Sequence, residues 1–247
     1  MRLRIATYNI RRGGRPRRRV LARVLGAIAP DVTVLQEATD PAVVRSLADA
    51  TGSLVVLQAP GRSVAVLSRV DWDAAAWRAV GPARAVADVE LACGIRLLGA
   101  HLSAGLSQRG ERRREDEVRA LLATAPSGPR PTVIAGDLNA IAPGDHPILA
   151  DLPRWIRVLL RFDGGITTAA MHRLLAAGYV DIFRHLHPDD SGTTMPAPAP
   201  SVRLDYLLLA PQLLPAVAWC RVGEADPDDL VAASDHLPVV AELQLPA

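Results

Sequence analysis

The chain has 247 residues, 49% of them hydrophobic, enough to bury the core of one large α/β domain or two small ones. Two cysteines, Cys93 and Cys220, exclude a disulfide framework and lack metal-ligand spacing, so both read as small core residues. A net charge of +2 says little about partners, although all the Lys/Arg positions are arginine, whose fork grips phosphate bidentately.

The N-terminal run "LRIATYNI" reads as a strand that stops at Asn9. The chain's start has no apolar signal region and no run is long enough to span a membrane, which gives the expectation of a cytoplasmic, soluble protein. "RRGGRPRRR" follows, and Pro16 opens a helix with Val20, Val24, Leu25 and Ile28 on one face, ended by Pro30. "DVTVLQE" is a strand reaching Glu37. Thr39 or Asp40 before Pro41 then caps a helix in "PAVVRSLADA". "LVVLQ" and "SVAVLSR" are joined by a short turn, as antiparallel neighbours are. "IRLLGAHL" ends near His101, and a helix from about Gln108 to Ala125 has a charged first half and a buried second half. "PTVIAGDLN" ends at Asp137 and Asn139. "RLDYLLL", "AVAWCRV" and "HLPVVAELQL" complete the strands, after a Pro-rich loop, "MPAPAPS". With no repeat and no linker, the expectation is a single domain over 1–247, a mixed sheet pair with helices outside.

Chemistry enters where polar residues interrupt the strands. Asn9, Glu37, His101, Asp137 and Asn139 all stand at or just past a strand end, Asp205 opens "DYLLL", and Asp235 with His236 precedes "LPVV". Any one of them alone is a turn or cap residue. Together they suggest a site, because strand ends are where a rigid scaffold converges side chains. His146, His172, His185 and His187 have no such context and read as solvated or structural.

In this order, "TYNI", "LQE", "HLS", "GDLNA", "RLDYLLL" and "SDHLPV" resemble the motif series of the endonuclease/exonuclease/phosphatase superfamily, with "GDLNA" and "SDHLPV" the specific members. The resemblance spans residues 5 to 240. It implies a DNase I-like four-layer α/β sandwich, two packed mixed β-sheets flanked by helices, with the site at one end and magnesium, or manganese, as cofactor.

By this resemblance and the chemistry of hard oxygen ligands, Glu37 holds the metal, with Asn9 and Asp235 beside it. Asp137 accepts the proton of the attacking water and Asn139 orients it. If the chain stays extended there, the two face the same side. His236 binds phosphate as a cation kept charged by Asp205, and His101 is a second phosphate donor or a structural histidine. Arg11 and Arg12 lie beside the site and can hold a nucleic-acid backbone.

The implied activity is a metal-dependent phosphodiesterase, a nuclease acting on nucleic acid as a monomer. A phospholipid or inositol-phosphate headgroup hydrolase is the alternative, and a catalytically silent phosphate-binding module the second. "RWIRVLLRF" at 154–162 reads as a core-facing helix, or as one lying on a membrane surface if lipid is the substrate.

Overall fold

The computed structural model describes residues 1–82, 84–105, 107–124, 130–148, 158 and 165–246, and the segment 154–162 lies outside them except for Val158. Twelve strands among these residues form two six-stranded sheets. In the first, β1 (Arg2–Asn9) pairs in parallel with β2 (Val32–Gln36). Around that pair lie β3 (Leu54–Leu57), β4 (Val64–Ser68), β11 (Val217–Val222) and β12 (Val239–Gln244), in the order β11-β12-β1-β2-β4-β3. In the second, β7 (Arg96–His101) runs parallel to β8 (Thr132–Asp137). β5 (Trp72–Ala79), β6 (Ala85–Leu91), β9 (Val180–Asp181) and β10 (Asp205–Leu209) complete the order β5-β6-β7-β8-β10-β9.

Strand alternation assigns each side chain to a layer. On β1, Leu3 and Ile5 join the core between the sheets, whereas Ala6 and Tyr8 face a second core under helices. Those helices are α1 (Arg18–Ile28) and α2 (Pro41–Thr51), with α6 (Pro227–Ala233) against α1. Beyond the other sheet, α3 (Gln108–Thr124) and α4 (Ala169–Ala176) pack over Leu98, Ile134 and Leu208. The short α5 (Ile182–Leu186) supports β10 and β11. The result is the four-layer sandwich expected from the resemblance, with both sheets mixed.

The helix boundaries follow from local chemistry. Asp40 caps α2 by accepting from the Ala42 amide at 3.0 Å, ahead of Pro41. A 3-10 turn at Arg15–Arg17 precedes α1, which ends in a left-handed Ala29 at φ 48°. β5, β6 and β9 did not stand out in the sequence as strands. In α3 the charged half is not merely solvated: Glu111, Arg114 and Glu117 are buried in it.

The pairing rules place the strand ends. β1 and β2 finish at the same end of the first sheet, and the antiparallel β4 and β12 begin there. β7 and β8 likewise finish together, with β10 beginning beside them: His101 is in register with Asp137, and Asp137 with Asp205.

Candidate active site

The inward register carries the site residues into the mouth between the sheets. Leu97 and Gly99 lead to His101, Val133 and Ala135 to Asp137, Leu3 and Ile5 through Thr7 to Asn9, and Leu209 and Leu207 back to Asp205. Each is the inward-facing residue at the end of its strand.

Asn9 ties the two sheets together. Its Nδ2 donates to Asp137 Oδ2 at 2.9 Å and to Glu37 Oε1 at 3.3 Å, while its Oδ1 accepts from the Arg11 amide at 3.0 Å. Glu37 follows the inward Gln36, so plain alternation would turn it toward the helices. A left-handed φ of 52° re-aims it, and its Oε2 accepts from the Arg12 amide at 2.6 Å. Arg11 and Arg12 are left-handed too, at φ 52° and 49°. Three residues just past the ends of β1 and β2, Arg11, Arg12 and Glu37, in a sparsely populated conformation around the Glu37 carboxylate mark a backbone held for a purpose.

His236 pairs with Asp205, Nδ1 to Oδ2 at 2.8 Å, and not with its neighbour Asp235. Its Nε2 lies 4.0 Å from Asp137 Oδ2. Burial disfavours the charged ring, but Asp205, followed by Asp137 and Asp235, outweighs burial and pushes the pKa up to about 10. Arg203 is occupied by Asp145 and Asp181, which leaves Asp205 to the histidine. Burial, reinforced by the Asp205 charge, raises the Asp137 carboxyl above the usual carboxylate range.

His101 presents the opposite case. Burial lowers its pKa, only partly offset by Asp137, so its ring is neutral. Nδ1 lies 3.1 Å from Ser63 Oγ and Nε2 lies 3.7 Å from Asp137 Oδ2. With the Ser63 hydroxyl donating to Nδ1, the Nε2 hydrogen points into the site as a donor.

Asp137 and Asn139 are not on one extended stretch. Asn139 is left-handed at φ 49° and its amide donates to Asp137 Oδ1 at 3.0 Å, so the chain turns directly after β8 and period-two alternation no longer applies. Asn139 Nδ2 donates to Leu102 O at 3.2 Å. The loop carrying Leu102 is held in turn by α3. Glu117 accepts from the Ser103 amide and hydroxyl, and Arg114 donates to Ser103 O and Gly105 O at 2.9 and 2.6 Å.

Arg11 reaches Asp235, Nε to Oδ2 at 3.2 Å, whereas no described carboxylate pairs with Arg12. Residues the sequence did not single out complete the framework. Ser63 fixes His101, Thr194 donates to Asp205 Oδ2 at 2.6 Å, and Ser234 donates to Asn9 O at 2.6 Å. Ser234 and Ser63 are the first letters of "SDHLPV" and "SVAVLSR", but neither hydroxyl was given a role from the sequence.

Among the described residues one set of three ligand atoms lies close enough to hold a cation. Asp137, Asp205 and His236 each place one within 4.8 Å of the others. Within that set Asp205 and His236 are hydrogen-bonded at 2.8 Å, while His236 Nε2 stands 4.0 Å from Asp137 Oδ2, and a dication there would face the histidine cation that Asp205 sustains. Glu37 and Asp235 offer hard carboxylate oxygens at the rim, with the Asp235 side chain 30% exposed. Oxygens of this kind, few and partly exposed, are what an ion of the magnesium type takes, since it keeps part of its water shell.

The model of the Endonuclease/Exonuclease/phosphatase family matches residues 6–236. Among solved structures, the chain is similar to an AP endonuclease from Archaeoglobus fulgidus, at 21% identity and TM-score 0.77, over 98% of this chain and 100% of that one. It is also similar to the 3' phosphatase NExo from Neisseria bound to product DNA hairpin, at 19% identity and TM-score 0.75, over the same shares. A third is humanized D. rerio TDP2, at 20% identity and TM-score 0.69, over 99% of each chain. At these identities the structural likeness establishes the fold alone. No curated protein sequence matches the chain.

Proposed function

Because the chain belongs to the endonuclease/exonuclease/phosphatase family, whose members are phosphoesterase hydrolases that generally depend on a divalent metal, we propose that it is a nuclease hydrolysing phosphodiester bonds. The observation that carries the reading is the buried relay. Asp205 holds His236 as a cation, and both lie against Asp137 at the mouth between the sheets. The site draws on residues from Asn9 to His236, so residues 1–247 act as one catalytic unit, and no second copy is needed to complete it.

Charged His236 and the Nε2 hydrogen of His101 bind the non-bridging phosphate oxygens, on either side of Asp137. Asp137 takes a proton from the attacking water as the new P–O bond forms, and the raised carboxyl makes it a stronger base than an exposed aspartate. Asn139 spends its amide hydrogen on Leu102 O, which turns its oxygen to accept from that water. The ester P–O bond breaks opposite, the leaving oxygen takes a proton from solvent water, and Asp137 later returns its proton to solvent. Glu37 and Asp235 would hold a magnesium-type ion, which would supply positive charge to the phosphoryl and leaving oxygens; Asn9, expected from the sequence as a third ligand, has its oxygen on the Arg11 amide and its Nδ2 on Glu37, so it serves to orient Glu37 instead. Arg11 and Arg12 hold the strand next to the scissile bond.

A substrate panel tests this reading: plasmid DNA, abasic duplex, RNA, phosphoinositide and sphingomyelin, each with magnesium or EDTA. Cleavage of a nucleic acid that EDTA abolishes is the expected result. Turnover of a lipid headgroup alone would replace the substrate assignment, and no turnover on any member would remove the catalytic one.

A further inference from the structure

The end of the sandwich that carries the site is electrostatically lopsided. On one flank lie the β3–β4 loop with Arg62, the β5–β6 loop with Arg84, and the start of α3 with Arg109, Arg112 and Arg113. Strand direction fixes this placement: Val64 pairs with Gln36 and Ala87 with Gly99, so both loops turn at the site end. No described carboxylate forms an ion pair with any of these five arginines, whereas most other arginines have one. The opposite flank, around α6 and the loop before β10, exposes Asp189, Asp190, Asp226 and Asp228.

Arg62 and Arg84 are held in position. The Arg62 guanidinium sits 5.7 Å from the Trp77 ring centroid, and its neighbour Ser63 contacts His101. Arg84 donates to His101 O at 3.3 Å, so both loops meet at the same phosphate-facing histidine. The arginines of α3 do not serve their own helix, since cations in its first turns oppose the helix dipole. A local preference broken without a structural return points to a ligand.

We propose that this flank is a track for the phosphate backbone of a nucleic acid extending beyond the scissile bond, contacted by Arg62, Arg84 and Arg109, while the acidic flank repels it. The track rests on the nuclease reading and deepens it. The substrate is a polymer with a long arm on the β4/β6/α3 side, rather than a mononucleotide or a lone headgroup.

The test is binding of a labelled duplex of about 30 base pairs by the full chain in EDTA, so that the strand stays intact, across a salt series. In the triple variant Arg62→Gln, Arg84→Gln, Arg109→Gln the slope of log affinity against log salt becomes shallower by about 2 to 3, roughly 0.9 per lost phosphate contact. Affinity at fixed salt falls at least about tenfold. A charge-matched control, Arg2→Gln, Arg69→Gln, Arg130→Gln, removes arginines at the opposite end and keeps the wild-type slope. Wild-type affinity and slope in the track variant, or an equal loss in the control, overturns the track alone. Failure of the wild-type chain to bind or cut any nucleic acid overturns the nuclease reading, and the track with it.

Discussion

Two histidines a few ångströms from one aspartate are shifted in opposite directions by their surroundings. Both are disfavoured as cations by burial, but Asp205 outweighs burial at His236 and raises its pKa, whereas at His101 Asp137 only partly offsets burial and the pKa falls. The folded pKa of His236, near 10, lies above the unperturbed 6.5. The pair therefore contributes its full stability below about 6.5 and loses it as pH rises through about 10. Asp205→Asn removes that dependence. Urea unfolding across this range is expected to show wild type losing its advantage over the variant as pH rises, and the alkaline limb of activity moving toward neutrality in the variant. Parallel pH profiles for the two proteins would contradict the pairing. The carboxylates and histidines that converge here were legible in the sequence because they interrupt apolar runs. Ser63 and Thr194 were not, since a hydroxyl in a loop looks the same whether or not it orients a catalytic group.

At the scale of elements, the site depends on how closely β7 and β8 approach. Gly136, the residue before Asp137, sits so near β7 that an added Cβ would lie 2.0 Å from Ala100 O. Gly136→Ala is expected to cost roughly 3 kcal/mol, because backbone, unlike a side-chain tip, cannot swing away. It should also lower kcat more than the stability loss explains, since His101 and Asp137 are in register across that contact. An unchanged urea midpoint would show that the strands separate without cost. The glycine of "GDLNA" is thus a packing requirement. The strands missed in the sequence have a different cause. β5, "WDAAAWRA", is rich in alanine, which has low strand preference, and it is an edge strand with only partial burial. Similarly, the buried Glu111, Arg114 and Glu117 look like the solvated face of a helix until the loop that Arg114 and Glu117 anchor, and the start of α4 that Glu111 caps, are placed beside them.

For the whole molecule, two sheets, each built around a parallel pair, deliver their strand ends to one mouth. That arrangement follows from alternation and strand direction, which is why the layers could be read from the run of motifs while the electrostatic asymmetry could not. The arginines of the track are far apart in sequence, and only strand direction brings 62, 84 and 109 to one flank. The fold thus buries the Asp205–His236 pair against Asp137 in the mouth, and the proposed nuclease reading adds a charged path beside it. The most direct test of the relay is cleavage of an end-labelled duplex in magnesium by wild type and by Asp137→Asn, with thermal melting of both. The substitution keeps the shape of the side chain and deletes the proton acceptor. Strand cleavage is expected in the wild type and a loss of at least about a hundredfold in the variant, with the melting temperature retained. Cleavage by Asp137→Asn at the wild-type rate would contradict the account.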